Sequence, residues 1–128
     1  MIHGLGTDLV QISRIDAIWQ QRGRAFAERI LMPEELKGFE AAKNPVRFLA
    51  MRFAAKEAIV KALGTGFSHG IWVRDVGFIS DRRGKPCVVF SARAAAVCRE
   101  LGAGEAHISL SDEAGLIVAM AVVLKADA

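Results

Sequence analysis

Between Arg47 and Leu63 the apolar positions follow no single stripe. Phe48, Leu49, Met51, Phe53, Ala54, Ile59, Val60 and Leu63 go all the way round at 100° per residue, in a run free of Gly and Pro that stops at Gly64. The pattern predicts one long, buried helix closed by a glycine cap. Upstream, MIHGLGTDLVQI alternates as a strand, with Ile2, Gly4, Gly6, Asp8, Val10 and Ile12 on one face. Short helices are predicted from Ser13, as N-cap, to about Trp19, from Arg24 to Leu31, and from Pro33 to about Ala42, where Asn44-Pro45 breaks the chain.

Downstream, residues 71–80 (IWVRDVGFIS) predict a strand with Trp72, Val76 and Phe78 on one side; Asp81 to Gly84 turns it into a returning strand over residues 85–90. Ser91 caps a helix that Gly102 stops. In EAHISLS the alternation is clean, with Ala106, Ile108 and Leu110 apolar, whereas LIVAMAVVL has no polar position and predicts a strand covered on both faces. Asp112 to Gly115 joins the two. The sum is an α+β fold: a single domain over residues 1–128, its antiparallel sheet built from the first strand and two hairpins and packed around the long buried helix. So small a domain covers such a helix poorly from one side, and self-association is expected.

Composition narrows the picture. With 128 residues and 52% hydrophobic content the chain can build a real core. Seventeen Lys and Arg against fourteen Asp and Glu give a net charge of +3, which suits an anionic small molecule or acidic partner and is too slight to argue for nucleic acid. Cys87 and Cys98 read as two reduced, buried thiols of a cytoplasmic protein, not as a disulfide framework or zinc site. Met1-Ile2-His3-Gly4 has no signal-peptide character, and the longest apolar run, residues 115–124, is about half a membrane helix, so no membrane partner is expected.

The chemistry begins with Glu57, since a carboxylate on a buried helix needs compensation. An i,i+4 ion pair with Lys61 would serve, worth ~0.2–0.5 kcal/mol on an exposed helix. Alternatively Glu57 is a ligand for a hard cation, or a base, and Lys61 meets an anion one turn on. Gly64-Thr65-Gly66 would let backbone N–H groups approach a phosphate, although Gly64 is equally a cap. Asp8 stands on a strand face cleared by two glycines, with room beside it, unless it caps the turn that follows. Arg14, Arg22, Arg24 and Arg29 share a neighbourhood with no comparable acidic cluster, either as a solvated face or as a dock for an acidic protein.

These residues are familiar as a set. Gly6-Thr7-Asp8-Leu9-Val10, Arg52-Phe53-Ala54-Ala55-Lys56-Glu57-Ala58, Lys61-Ala62-Leu63-Gly64-Thr65-Gly66, Gly84-Lys85-Pro86, Arg29-Ile30-Leu31 and His107-Ile108-Ser109-Leu110-Ser111 together resemble the holo-acyl-carrier-protein synthase family, the small bacterial type of 4′-phosphopantetheinyl transferase. The resemblance runs nearly end to end. It implies transfer of the phosphopantetheine arm of coenzyme A to a serine of apo acyl carrier protein, for fatty acid biosynthesis, with release of adenosine 3′,5′-bisphosphate. It also implies Mg²⁺ held by Asp8 and Glu57, and a homotrimer with each site at a subunit boundary. In that scheme Lys61 and backbone N–H groups near Gly64, Thr65 and Gly66 stabilise the phosphoryl charge, and Glu57 or a water on the cation takes the serine proton. Arg52, Lys85 and Pro86 meet the nucleotide end of coenzyme A, and Arg14, Arg22 and Arg24 face the acidic helix of the carrier. One departure is Asp112, where many members carry histidine. Read without the resemblance, the same carboxylates and lysine would suit a metal-dependent nucleotide phosphohydrolase, or a non-catalytic trimeric module that binds coenzyme A.

Overall fold

The structure, a computed structural model, describes residues 1–127. In order the elements are β1 (Ile2–Gln11), α1 (Ile12–Arg22), α2 (Arg24–Ile30), α3 (Pro33–Ala41), α4 (Pro45–Leu63), β2 (Val76–Ser80), β3 (Pro86–Phe90), α5 (Ala92–Leu101), β4 (Ala103–Glu113) and β5 (Leu116–Lys125). The class is α+β, as the pattern predicts. The long helix α4 begins at Pro45, whose fixed φ suits a first turn, and Asn44 Oδ1 accepts from the Arg47 N–H at 3.0 Å. It ends at Gly64 in the left-handed conformation, φ +82°.

The single sheet expected from the sequence is in fact two. β1, β5 and β4 form one antiparallel sheet in the order β1-β5-β4, and β2 pairs only with β3. A cleft of about 560 Å³, lined by residues of both strands, separates β3 from β4. Buried polar contacts hold the β2–β3 hairpin to α3 and α4 instead.

Packing of α4 on β1 explains the glycines of the first strand. A Cβ at Gly4 would collide with the carbonyl oxygen of Ala62, and one at Gly6 with that of Ala58. The room that the two glycines clear is therefore filled by helix backbone, and the open space beside Asp8 lies beyond it. The spacing is metric: two strand residues advance about 6.6 Å and four helix residues about 6 Å, so positions 4 and 6 stay in step with 62 and 58.

Other expectations change for local reasons. β5 is covered on one face only: Ile117, Ala119, Ala121 and Val123 are fully buried, while Val118 and Met120 are 43% and 49% exposed. Leu9 lies opposite Val118 and Leu5 opposite Val122, both leucines more than 60% exposed, which makes the outer face of β1 and β5 largely apolar, while β4 presents His107, Ser109 and Ser111. Trp72 is exposed because Val73–Asp75 forms a 3₁₀ turn, fastened by Asp75 Oδ2 accepting from the Trp72 N–H, and β2 starts only at Val76. α1 begins one residue before Ser13, with Gln11 as its N-cap. Cys98 is buried but Cys87, on β3, is exposed; both are free thiols. Among the described residues no helix is long and apolar enough to cross a membrane.

Candidate active site

β1 carries Asp8 past the glycine contacts to the level of the Glu57 turn of α4. Both carboxylates line one cleft of about 690 Å³, together with Arg14 of α1 and an apolar wall that includes Ile18, Phe53 and Leu116. Lys61, one turn beyond Glu57, donates from Nζ to Asp8 Oδ1 at 3.1 Å and to the Thr7 carbonyl at 3.0 Å. The ion pair that forms is thus Lys61 with Asp8, across two elements, rather than Lys61 with Glu57 along the helix.

Glu57 is half-buried, not buried. Its carboxyl is held above the usual carboxylate range, by burial first and by the charge of Asp8 second, while Lys61 opposes both. A cation would relieve that strain. Among the described residues no group of three or more His, Cys, Asp or Glu side chains is gathered. Two hard carboxylate ligands, with phosphate oxygens and water completing the shell, match the way Mg²⁺ is commonly held, so the donor set fits that ion.

Among the described residues the fully buried carboxylate is Glu35, whose partner is the equally buried Lys56 at 2.6 Å. Glu35 lies in the first turn of α3 and accepts from the Met32 N–H at 2.9 Å. Its inward role escaped notice, because nothing local links positions 35 and 56. Lys56 and Glu57 are adjacent, hence about 100° apart on the helix, and so they face different directions.

Gly64, Thr65 and Gly66 do not offer their backbone N–H groups to a ligand, contrary to expectation. All three point at the Val60 carbonyl, at 3.1, 3.2 and 3.3 Å, and close the C-terminus of α4. The Thr65 hydroxyl is likewise engaged, donating to the Gly66 carbonyl at 2.8 Å.

Arg52, Lys85 and Pro86 lie away from the carboxylates. Arg52 is buried, its guanidinium stacked between the Phe48 and Phe78 rings at 4.0 and 3.8 Å, and burial, partly offset by Glu35, pushes its pKa down to about 10. With Lys43, Arg47, Ser80, Pro86 and Ser109 it lines a second cleft of about 530 Å³. Lys85 stands at the end of the hairpin turn, where its N–H donates to Asp81 Oδ1. Asp112 is paired with Arg47 at the lip of that second cleft.

Arg14 and Arg22 are exposed on α1, Arg14 at the rim of the carboxylate cleft. Arg24 differs from the expectation of an unopposed cation. It pairs with Glu40 of α3 and sits 5.8 Å over the Phe39 ring.

A family model described as the 4′-phosphopantetheinyl transferase superfamily matches residues 4–119. The holo-[acyl-carrier-protein] synthase of Halorhodospira halophila is 46% identical over 124 residues, which is 97% of this chain and 98% of that protein. The crystal structure of the Neisseria meningitidis holo-[acyl-carrier-protein] synthase superposes with a TM-score of 0.92 at 42% identity, covering 98% of this chain and all of that one. A Bacillus anthracis holo-(acyl-carrier-protein) synthase in complex with CoA (3′,5′-ADP) is similar at a TM-score of 0.79 and 33% identity, over 99% of each chain.

Proposed function

The chain belongs to the 4′-phosphopantetheinyl transferase superfamily, and from that premise we propose that it transfers the phosphopantetheine arm of coenzyme A to a serine hydroxyl of apo acyl carrier protein, releasing adenosine 3′,5′-bisphosphate. The observation that carries this reading is the convergence of Asp8 and Glu57 in one cleft beside Arg14, with Lys61 bonded to Asp8.

The serine oxygen attacks the β-phosphorus of the coenzyme's pyrophosphate; the new P–O bond forms as the bond to the bridging oxygen of the α-phosphate breaks, and the nucleotide leaves. Asp8 and Glu57 would hold Mg²⁺, which supplies positive charge against the diphosphate when bound. Lys61, already oriented by Asp8 and the Thr7 carbonyl, places an ammonium where charge spreads over the phosphoryl oxygens. Glu57, which lines the same cleft as Asp8, is the candidate acceptor of the serine proton, directly or through a water. Arg14 and Arg22 meet the acidic helix of the carrier protein and orient its serine.

Arg52 and Pro86 take the nucleotide end in the second cleft, with Lys85 beside Pro86 at the end of the hairpin turn. Because the two clefts are lined from different sides of α4, a site shared between subunits would unite them. The apolar outer face of β1 and β5 supports a homotrimer in which those faces meet. A protein that uses coenzyme A and serves fatty acid synthesis in this way works in the cytoplasm, as one catalytic domain.

The test is the intact mass of an apo acyl carrier protein after incubation with this protein, coenzyme A and Mg²⁺. A gain of one phosphopantetheine, lost with chelator and in Asp8→Ala and Glu57→Ala, supports the reading. Hydrolysis of coenzyme A with the carrier mass unchanged refutes it. Sedimentation equilibrium at the assay concentration tests the trimer.

A further inference from the structure

We propose that Lys56 is a positioning residue for coenzyme A: acting through Glu35, it fixes the wall of the Arg52 cleft, while its neighbour Glu57 serves the reacting end. The inference rests on the transferase reading above.

Lys56 does not line either cleft, yet its contacts lead to one. Its Nζ donates to Glu35 Oε1 and to the Val76 carbonyl, each at 2.6 Å. Glu35 Oε1 also accepts from the Met32 N–H at 2.9 Å, and Oε2 accepts from the Phe78 N–H at 3.2 Å. Arg52 Nε lies 3.5 Å from that same Oε2 and donates to the Phe78 carbonyl at 3.1 Å. One buried carboxylate therefore ties the start of α3, the middle of α4 and the start of β2 together. A Cβ at Gly77 would collide with the Glu35 carboxylate, so β2 is cut away where the anion enters.

The point of delivery is Phe78. Both its N–H and its carbonyl belong to this network, and its ring forms one side of the Arg52 stack. Phe78, Arg52, Ser80 and Pro86 all face the second cleft. Filling the same volume would not require charge, since apolar side chains of similar size often stabilise as well or better. What charge adds is direction: an ammonium and a carboxylate with nearly all their hydrogen-bonding capacity used define one angle between helix and hairpin.

Two variants test this. Glu35→Gln keeps the shape and removes the anion; Glu35→Gln with Lys56→Met removes both charges without leaving either one buried alone. In each, the KM for coenzyme A should rise about tenfold while kcat stays within about twofold and the Mg²⁺ concentration for half-maximal rate is unchanged. A KM within about twofold of the unmodified protein, in either folded variant, overturns the proposal. Hydrogen exchange of the unmodified protein asks the same question without substitution. Saturating coenzyme A should slow exchange at the Met32 amide as well as across residues 76–80, and an unchanged Met32 amide overturns the coupling. Absence of carrier modification by the unmodified protein would refute the transferase reading separately, whatever the exchange data give.

Discussion

Two sides of one helix treat charge in opposite ways. On the inner side of α4, Lys56, Glu35 and Arg52 are buried and bonded to one another and to backbone groups. On the cleft side, Asp8 takes the cation of Lys61, and Glu57, beside Asp8 and with no such partner among the described residues, shows the imbalance in its raised proton affinity. Burial alone would single out Glu35, whose partners lie within the fold, rather than the Glu57 of the proposed site. The two differ in saturation: Glu35 has its partners within the fold, whereas Glu57 has no side-chain hydrogen-bond partner among the described residues, and on the proposed reading a cation completes the Asp8–Glu57 pair.

That contrast is sharpened most by exchanging the readouts. Glu57→Ala should lower carrier modification by about a thousandfold, as loss of a group that acts on the transition state does, with a melting temperature close to that of the unmodified protein. Lys56→Met, one residue away, should instead cost about 3–5 kcal/mol of stability by stranding a buried carboxylate, which a denaturant titration measures. If Glu57→Ala melts the protein and Lys56→Met does not, the assignment of the two sides is reversed.

Gly6→Ala comes next. Forcing a methyl group against the Ala58 carbonyl should cost about 1–3 kcal/mol and shift Asp8 relative to Glu57, so that the Mg²⁺ concentration for half-maximal rate rises.

The pH profile gives a smaller effect with a definite sign. A cation is held by the ionised carboxylate. Since burial and Asp8 raise the Glu57 pKa, its proton is retained to higher pH than an ordinary glutamate's, and the apparent affinity for Mg²⁺ should fall as pH drops through that raised value. The acid limb should therefore lie above the ordinary glutamate value of 4.5 at low Mg²⁺ and move down as Mg²⁺ is added; a limb insensitive to Mg²⁺ would count against the site.

Among the arginines the same rule ranks two neighbours. Arg14→Ala should raise the KM for carrier protein about tenfold and flatten its salt dependence, whereas Arg24→Ala, whose guanidinium is occupied by Glu40, should change it less than about twofold.

The residues of the proposed site are picked out in the sequence for a physical reason: Asp8 is the one carboxylate of the first strand, and Glu57 the one carboxylate of the long helix, with Lys61 a turn beyond it. The partner of Glu35 is not legible, because its pairing with Lys56 spans positions that no local period connects. Gly64 to Gly66 were misleading for the opposite reason: a helix terminus and a phosphate loop use the same glycines, and only the geometry says that Val60 receives their N–H groups. The run LIVAMAVVL announces that both faces of β5 are apolar, but not whether the second cover comes from the same chain. The separate β2–β3 sheet was also hidden, since strand patterns do not say which edges meet.

The glycines of β1 have a consequence for how this sequence can change. At Gly4 and Gly6 every other amino acid is an enlargement directed at helix backbone, which has no rotamer with which to yield. Most core positions can drift by small exchanges of volume, with neighbours compensating. These two have no adjacent step in sequence space, so the distance between the strand that bears Asp8 and the helix that bears Glu57 can be spoiled by a mutation but not adjusted by one.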